Sequence, residues 1–97
     1  MASRLVKDHA AETDLVGIWV YSFEQWSETQ ADRYLSTIEN CIQKLVSDPE
    51  SGKQRDRLRK GYWSKRIKHH VVFYTFTDSE LRIRRVLHEV MDPEIHM

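Results

Sequence analysis

Residues 61–93 read G-Y-W-S-K-R-I-K-H-H-V-V-F-Y-T-F-T-D-S-E-L-R-I-R-R-V-L-H-E-V-M-D-P. In this stretch the apolar period shortens from helical to extended. Val71 to Phe76 are β-branched or aromatic throughout, which suits a buried strand. Thr77-Asp78-Ser79 is a turn cluster. Beyond it Leu81, Ile83, Arg85 and Leu87 alternate with Arg82, Arg84, Val86 and His88, the period of a second strand. Tyr62 to Lys68 is also extended, with Gly61 as the turn before it and His69-His70 as a connection or bend. The three segments predict an antiparallel meander.

The segments upstream must cover one face of that meander. Ser3 to Lys7 is a short strand candidate, expected at an edge of the sheet because one strand alone is unstable. Asp8 stands where a helix N-cap belongs. From there Ala11, Leu15, Ile18, Trp19, Ser22, Phe23 and Trp26 recur at helical spacing and predict one buried face. Gly17 interrupts this helix and is expected to mark a close helix–helix approach. Ser27-Glu28-Thr29-Gln30 fits a capping box and opens a second helix, which Asp48-Pro49 closes. Its apolar face is Ala31, Tyr34, Leu35, Ile38, Cys41, Ile42 and Leu45. The helices join at Trp26-Ser27, too tightly for anything but an antiparallel hairpin. The expected architecture is therefore α+β: an N-terminal strand and an antiparallel helical hairpin packed on a three- to four-stranded antiparallel sheet. At 97 residues the whole chain, 1–97, is read as one domain.

Composition bounds the function. Cys41 is the single cysteine, so it has no partner for an internal disulfide, and its place on an apolar helix face suits a small hydrophobe. No apolar run approaches the ~20 residues of a membrane span. The first residues lack a secretion signal's apolar segment, so no membrane is expected and a cytoplasmic location is. Net charge is zero but unevenly placed. Residues 1–52 carry four Lys/Arg against nine Asp/Glu; residues 53–88 carry eleven against three; residues 89–97 carry three acids and no Lys or Arg. Five of the eight residues 53–60 are basic, with Leu58 as their one apolar anchor, which predicts an exposed loop. Such asymmetry suits either an anionic partner or a solvated face. Nucleotide-binding glycine loops, G-x-S-x-G, H-E-x-x-H and C-x-x-C are all absent. The five histidines lack the spacing of a ligand set, so no metal and no cofactor are expected. Arginines beside Tyr62 and Trp63, with His88 as an acid or base near neutral pH, are in outline sufficient for RNA cleavage.

Five segments taken in order resemble the ParE toxins of bacterial toxin–antitoxin modules, within the RelE/ParE superfamily. They are A-E-T-D-L-V-G-I-W at 11–19, W-S-E-T-Q-A-D-R-Y-L at 26–35, D-P-E-S-G at 48–52, G-Y-W-S-K-R-I-K-H-H-V-V-F-Y at 61–74 and R-V-L-H-E-V-M-D-P-E at 85–94. The resemblance implies a cytoplasmic toxin that poisons DNA gyrase without being an enzyme, and a cognate antitoxin, ParD-like or other, that neutralises it. The RelE branch instead cleaves mRNA on the ribosome, and that is the alternative. Its nucleases use several basic sheet residues and commonly a Tyr or His near the C-terminus; here the tail after His88 is acidic and lacks Tyr. The resemblance therefore implies no catalytic residues, or Arg66, Arg85 and His88 if the chain is a nuclease. Lys65, Arg66, Arg85 and His88 are expected to bind the target. Trp19, Phe23, Tyr34 and Arg57 are expected to bind the antitoxin. No sequence-specific DNA binding is expected from the toxin alone.

Overall fold

The computed structural model describes residues 4–97. Strand β1 (Arg4–Lys7) leads into helices α1 (His9–Gln25) and α2 (Glu28–Ser47). A 3-10 turn at Pro49–Ser51 precedes strands β2 (Lys53–Gln54), β3 (Trp63–Ile67), β4 (His70–Phe76) and β5 (Glu80–His88), and a short helix α3 (Pro93–His96) ends the chain. The sheet order is β1-β5-β4-β3-β2. The expected meander is therefore present as β3-β4-β5, and the helical hairpin covers it. Ser3, included in the expected first strand, lies outside the described residues.

Two features of the sheet differ from the expectation. The sheet has five strands and is mixed, because β1 runs parallel to β5 (Leu5 opposite Leu81, Lys7 opposite Ile83). β4 already fills one side of β5, so β1 takes the other. β2 is two polar residues paired to β3, too short to show any apolar period. His69-His70 also resolves: Lys68 and His69 form the turn, with Lys68 left-handed at φ 53°, and His70 belongs to β4 opposite His88.

The strict alternation in β5 breaks at a bulge. Phe73 pairs with Arg85 but Tyr74 pairs with Ile83, so Arg84 is the extra residue. Parity reverses there. Leu81 and Ile83 join the core under the helices, and beyond the bulge it is Val86 that does so. Leu87 instead packs with Tyr62 and Phe73 in a second cluster on the other sheet face.

α2 buries the stripe it was expected to bury: Ala31, Ile38, Ile42 and Leu45 inside, with Tyr34, Leu35 and Cys41 at the margin. Ser27 Oγ accepts the Gln30 N–H at 3.1 Å and caps it. α1 behaves differently. Its buried residues are Ala11, Leu15 and Ser22, while Phe23 and Trp26 stay 48% and 66% exposed. Trp19 is half-buried, stacked on Phe23 and donating its indole N–H to Asp32 Oδ1 at 2.8 Å. The core under α1 is too thin to take three large aromatics. Asp8 also departs from expectation. It makes no side-chain cap; its carboxylate receives Arg82 Nη1 at 2.9 Å and Arg84 Nη1 at 3.2 Å from β5. Burial opposes ionisation of Asp8, but these two arginines outweigh it and hold its carboxyl below the usual range.

The bulge is where α1 is fastened. Asp14 Oδ2 accepts Arg85 Nε at 2.7 Å and the Val86 N–H at 2.9 Å, and Asp14 Oδ1 accepts Arg85 Nη2 at 2.9 Å. A bulge disrupts the ladder locally. The helix carboxylate supplies an acceptor for the Val86 N–H there, and a fork for the arginine beside it.

Two glycines give opposite expectations. A Cβ on Gly52 would lie 2.2 Å from the buried Tyr74 hydroxyl, which donates to Pro49 O, and 2.6 Å from Ser64 O. Gly17 meets nothing within 4 Å and marks no close helix approach. Chemical denaturation of Gly52→Ala should show a loss of about 1–3 kcal/mol. Gly17→Ala should gain about 0.5–1 kcal/mol, because only helix propensity changes.

Candidate functional site

Gly17 lies instead on an open groove of about 840 Å³ between α1 and the end of β5 with its tail. One wall is α1, through Thr13, Gly17, Tyr21 and Trp26. The other is Val86, His88, Val90 and Met91, and Tyr34 and His70 also line it. Its apolar lining is exposed: Tyr21 is 61% accessible, Val90 83% and Met91 43%. Large exposed apolar patches mark sites of association.

The polar groups in the groove are largely satisfied from within the chain. Arg85 gives Nε and Nη2 to Asp14, and Nη1 to the His96 carbonyl. The Asp14 bond holds the Arg85 guanidinium above its usual range despite burial. His88 Nδ1 accepts the Val90 N–H at 3.2 Å, which places the proton of its neutral ring on Nε2. His88 packs edge-on against His70, with centroids 5.1 Å apart. Tyr34 Oη accepts the His69 N–H at 3.3 Å, so its own proton is free for His70 Nδ1 at 2.6 Å. His70 then carries its proton on Nε2. Burial, followed by the neighbouring His88 and His69, lowers the His70 pKa to about 4, against a small opposing pull from Glu89. His70 is neutral at physiological pH. Burial also raises the Tyr34 phenol.

At the rim, Glu89 binds His69 Nδ1 at 2.8 Å and Arg66 Nη2, and its N–H donates to His69 O at 2.8 Å. The His69 bond, then Arg66, hold Glu89 below the usual carboxylate range although burial works the other way. This triad ties the tail to the β3–β4 turn.

The residues expected to bind a target are thus only partly brought together. Arg85 and His88 line the groove, and Arg66 stands at its edge through Glu89. Lys65 is apart from them, reaching Ser51 O at 3.3 Å. Of those expected to bind an antitoxin, Tyr34 lines the groove, Trp19 and Phe23 sit together on α1, and Arg57 is exposed in the loop between β2 and β3. Asp14, Gly17, Tyr21, Lys68 and His70 also belong to the groove and were not expected there. For His70 the signal existed in the His-His pair, but its meeting with His88 depends on a register that no local pattern reveals. Among the described residues no three His, Cys, Asp or Glu side chains gather as a metal site. Among them, too, no helix is long and apolar enough to cross a membrane.

His70 sets a pH dependence. Its folded pKa lies below the unfolded value, so the unfolded chain takes up a proton first as pH falls. Stability is fully present above about 6.5 and declines toward about 4. Asp8 and Glu89, whose carboxyls are depressed, add their own losses only below the ordinary carboxylate pKa. Urea unfolding at pH 7 and pH 5 should show wild type losing more stability than His70→Gln. Equal losses would remove His70 as the cause.

Residues 6–93 match the family model described as "ParE toxin of type II toxin-antitoxin system, parDE". The chain is 32% identical over 93 residues to Toxin ParE1 of Mycobacterium tuberculosis, covering 95% of each chain. It is 32% identical over 83 residues to Toxin ParE of Escherichia coli, covering 84% of this chain and 81% of that one. Among solved structures it resembles a chain of the chromosomal ParDE TA system from P. aeruginosa, with a TM-score of 0.78, 17% identity, and coverage of 91% and 96%. It also resembles a YoeB/ParE toxin from Agrobacterium tumefaciens, with a TM-score of 0.60, 18% identity, and coverage of 88% and 96%. The two structures agree in fold; the family match and the two relatives establish that this chain belongs to the ParE toxin family of type II toxin–antitoxin systems.

Proposed function

We propose that the protein is a cytoplasmic, non-enzymatic toxin that poisons DNA gyrase and is neutralised by a cognate antitoxin occupying the groove. One observation carries the non-enzymatic part. Arg85, the arginine that a nuclease would need in the groove, is engaged inside the fold. Arg85 has its Nε, Nη1 and Nη2 donors committed to Asp14 and His96, and His70 is held neutral. A phosphate-cleaving site built on Arg85 and His70 would need that cation free and that imidazole able to take a proton near neutral pH. The exposed Tyr21, Trp26, Val90 and Met91 beside them suit a protein surface, where aromatic and Met side chains anchor association. Family membership supports the same reading, as does the naming of relatives as ParE toxins and of a structural neighbour as part of a ParDE system.

The His70–His88 contact favours one second reading, ribosome-dependent mRNA cleavage of the RelE kind. In it Arg66, Arg85 and His88 would act on RNA, once Arg85 is released from Asp14. Mapping of mRNA ends on stalled ribosomes tests it, and codon-linked cuts would favour it over the gyrase reading.

Pure protein incubated with gyrase and plasmid should block supercoiling and accumulate linear or nicked DNA that depends on both proteins. A folded sample that does neither contradicts the gyrase reading. For the antitoxin, Trp26→Ala should weaken binding of the co-expressed partner about 10- to 100-fold, the range of a buried aromatic anchor, with the unfolding midpoint little changed. Unchanged affinity would place the antitoxin elsewhere.

A further inference from the structure

The positive charge of residues 53–88 is not uniformly neutralised. Arg66 pairs with Glu89, Arg82 with Asp8 and Glu80, Arg84 with Asp8, and Arg85 with Asp14. Among the described residues, Lys53, Arg55, Arg57, Arg59 and Lys60 make no ion pair. The single carboxylate within that run, Asp56, accepts the Gly61 N–H at 2.9 Å.

These cations stand on an ordered platform. The Arg55 N–H donates to Tyr62 O at 2.7 Å and the Leu58 N–H to Arg55 O at 2.9 Å. Leu58 turns inward against Tyr62, Phe73 and Leu87. Phe73 lies between Val72 and Tyr74, which face the helices, so this cluster is on the opposite sheet face, away from the core that the helices cover. The Arg55 guanidinium lies over the Phe73 ring at 5.4 Å and that of Arg59 over Tyr62 at 5.7 Å. Arg55 also donates Nη1 to Ser64 Oγ at 3.2 Å, which fixes its guanidinium and leaves its remaining N–H donors for an oxyanion, while the stacked Arg59 keeps its fork pre-set.

We propose that this face binds the sugar-phosphate backbone of duplex DNA without reading sequence. Its role, resting on the gyrase reading above, is to hold gyrase-bound DNA while the groove faces protein. Three points select the partner. The one apolar residue of the run, Leu58, points inward, so an acidic protein would find cations but no apolar centre, whereas protein–DNA interfaces are polar and strongly basic. Tyr62 and Phe73 are buried beneath arginines, so no exposed ring is offered for stacking unpaired bases, as single-strand binders require. Arginine and lysine donors to phosphate position a protein on a duplex and carry no base information.

The test uses the full chain and the triple variant Lys53→Gln/Arg57→Gln/Lys60→Gln, three exposed residues with no ion-pair partner among the described residues. Fluorescence anisotropy with a mixed-sequence duplex of about 20 base pairs is read over a salt series, without gyrase. Each phosphate contact contributes about −0.9 to the slope of log K against log salt, so five contacts give a slope as steep as about −4.5. The triple variant should lose affinity and flatten the slope by about 2.7. An unchanged slope in the folded variant overturns the proposal, as does tighter binding of a single strand of equal length. A wild type that ignores duplex, with a variant that loses affinity for DNA-free gyrase, would assign the face to an acidic protein. Duplex binding without gyrase inhibition would instead contradict the gyrase reading and leave the DNA face standing.

Discussion

The Asp14 carboxylate is the point on which the structure turns. It accepts three N–H donors across the bulge of β5, two from Arg85 and one from the Val86 backbone. Without it, the Val86 N–H loses this acceptor and the Arg85 charge its partner. Both penalties are steep in a partly buried site. The same bonds hold α1 at the distance from the sheet that leaves the groove open. Arg85 then passes the constraint to the tail by donating to His96 O. The bulge also reverses the parity of the strand, which brings Val86 under the helices and His88 into the groove beside His70.

Much of the charge contrast between the two halves of the chain is consumed by this architecture. Asp8 and Asp14, at the start of and within α1, neutralise Arg82, Arg84 and Arg85 of β5, and Lys7 meets Glu39 at 2.8 Å. The acidic tail is used in part, because Glu89 binds His69 and Arg66. These pairs set how the layers dock rather than adding much stability where they are exposed. The charge left over, most of it on residues 53–60, is therefore a better guide to a partner than the net charge of the segment. The groove shows the complementary pattern, with satisfied polar groups among exposed apolar ones.

How far the sequence was legible follows from the range over which each signal acts. The helix boundaries, the β3-β4-β5 meander and the buried stripe of α2 are local patterns, and they were readable. The parallel pairing of β1 with β5 is nonlocal and leaves no trace in either strand. A two-residue polar strand has no period to detect. Arg84 as the extra residue of a bulge looks like any other step of an alternating strand, so Leu87 was expected beside Ile83 and lies on the other face. Asp8 had the right position for a cap, but two arginines on β5 compete for it more strongly than backbone N–H groups do. Of the residues that line the groove, Arg85, His88 and Tyr34 were singled out in the sequence. Asp14 and His70 were not, because their roles depend on partners about 70 and 20 positions away in the chain.

The most direct test of this architecture is a double-mutant cycle on unfolding free energy, using Asp14→Ala, Arg85→Ala and the double variant. If the carboxylate and the guanidinium act as one fastening, each single variant should cost about 2–3 kcal/mol and the double variant little more. The coupling should then be about 2 kcal/mol. Single costs that add to within about 0.3–0.5 kcal/mol would mean the two side chains act independently, and the docking of α1 would rest on the Asp14 bond to the Val86 N–H, the Asp8 pairs with Arg82 and Arg84, and apolar packing.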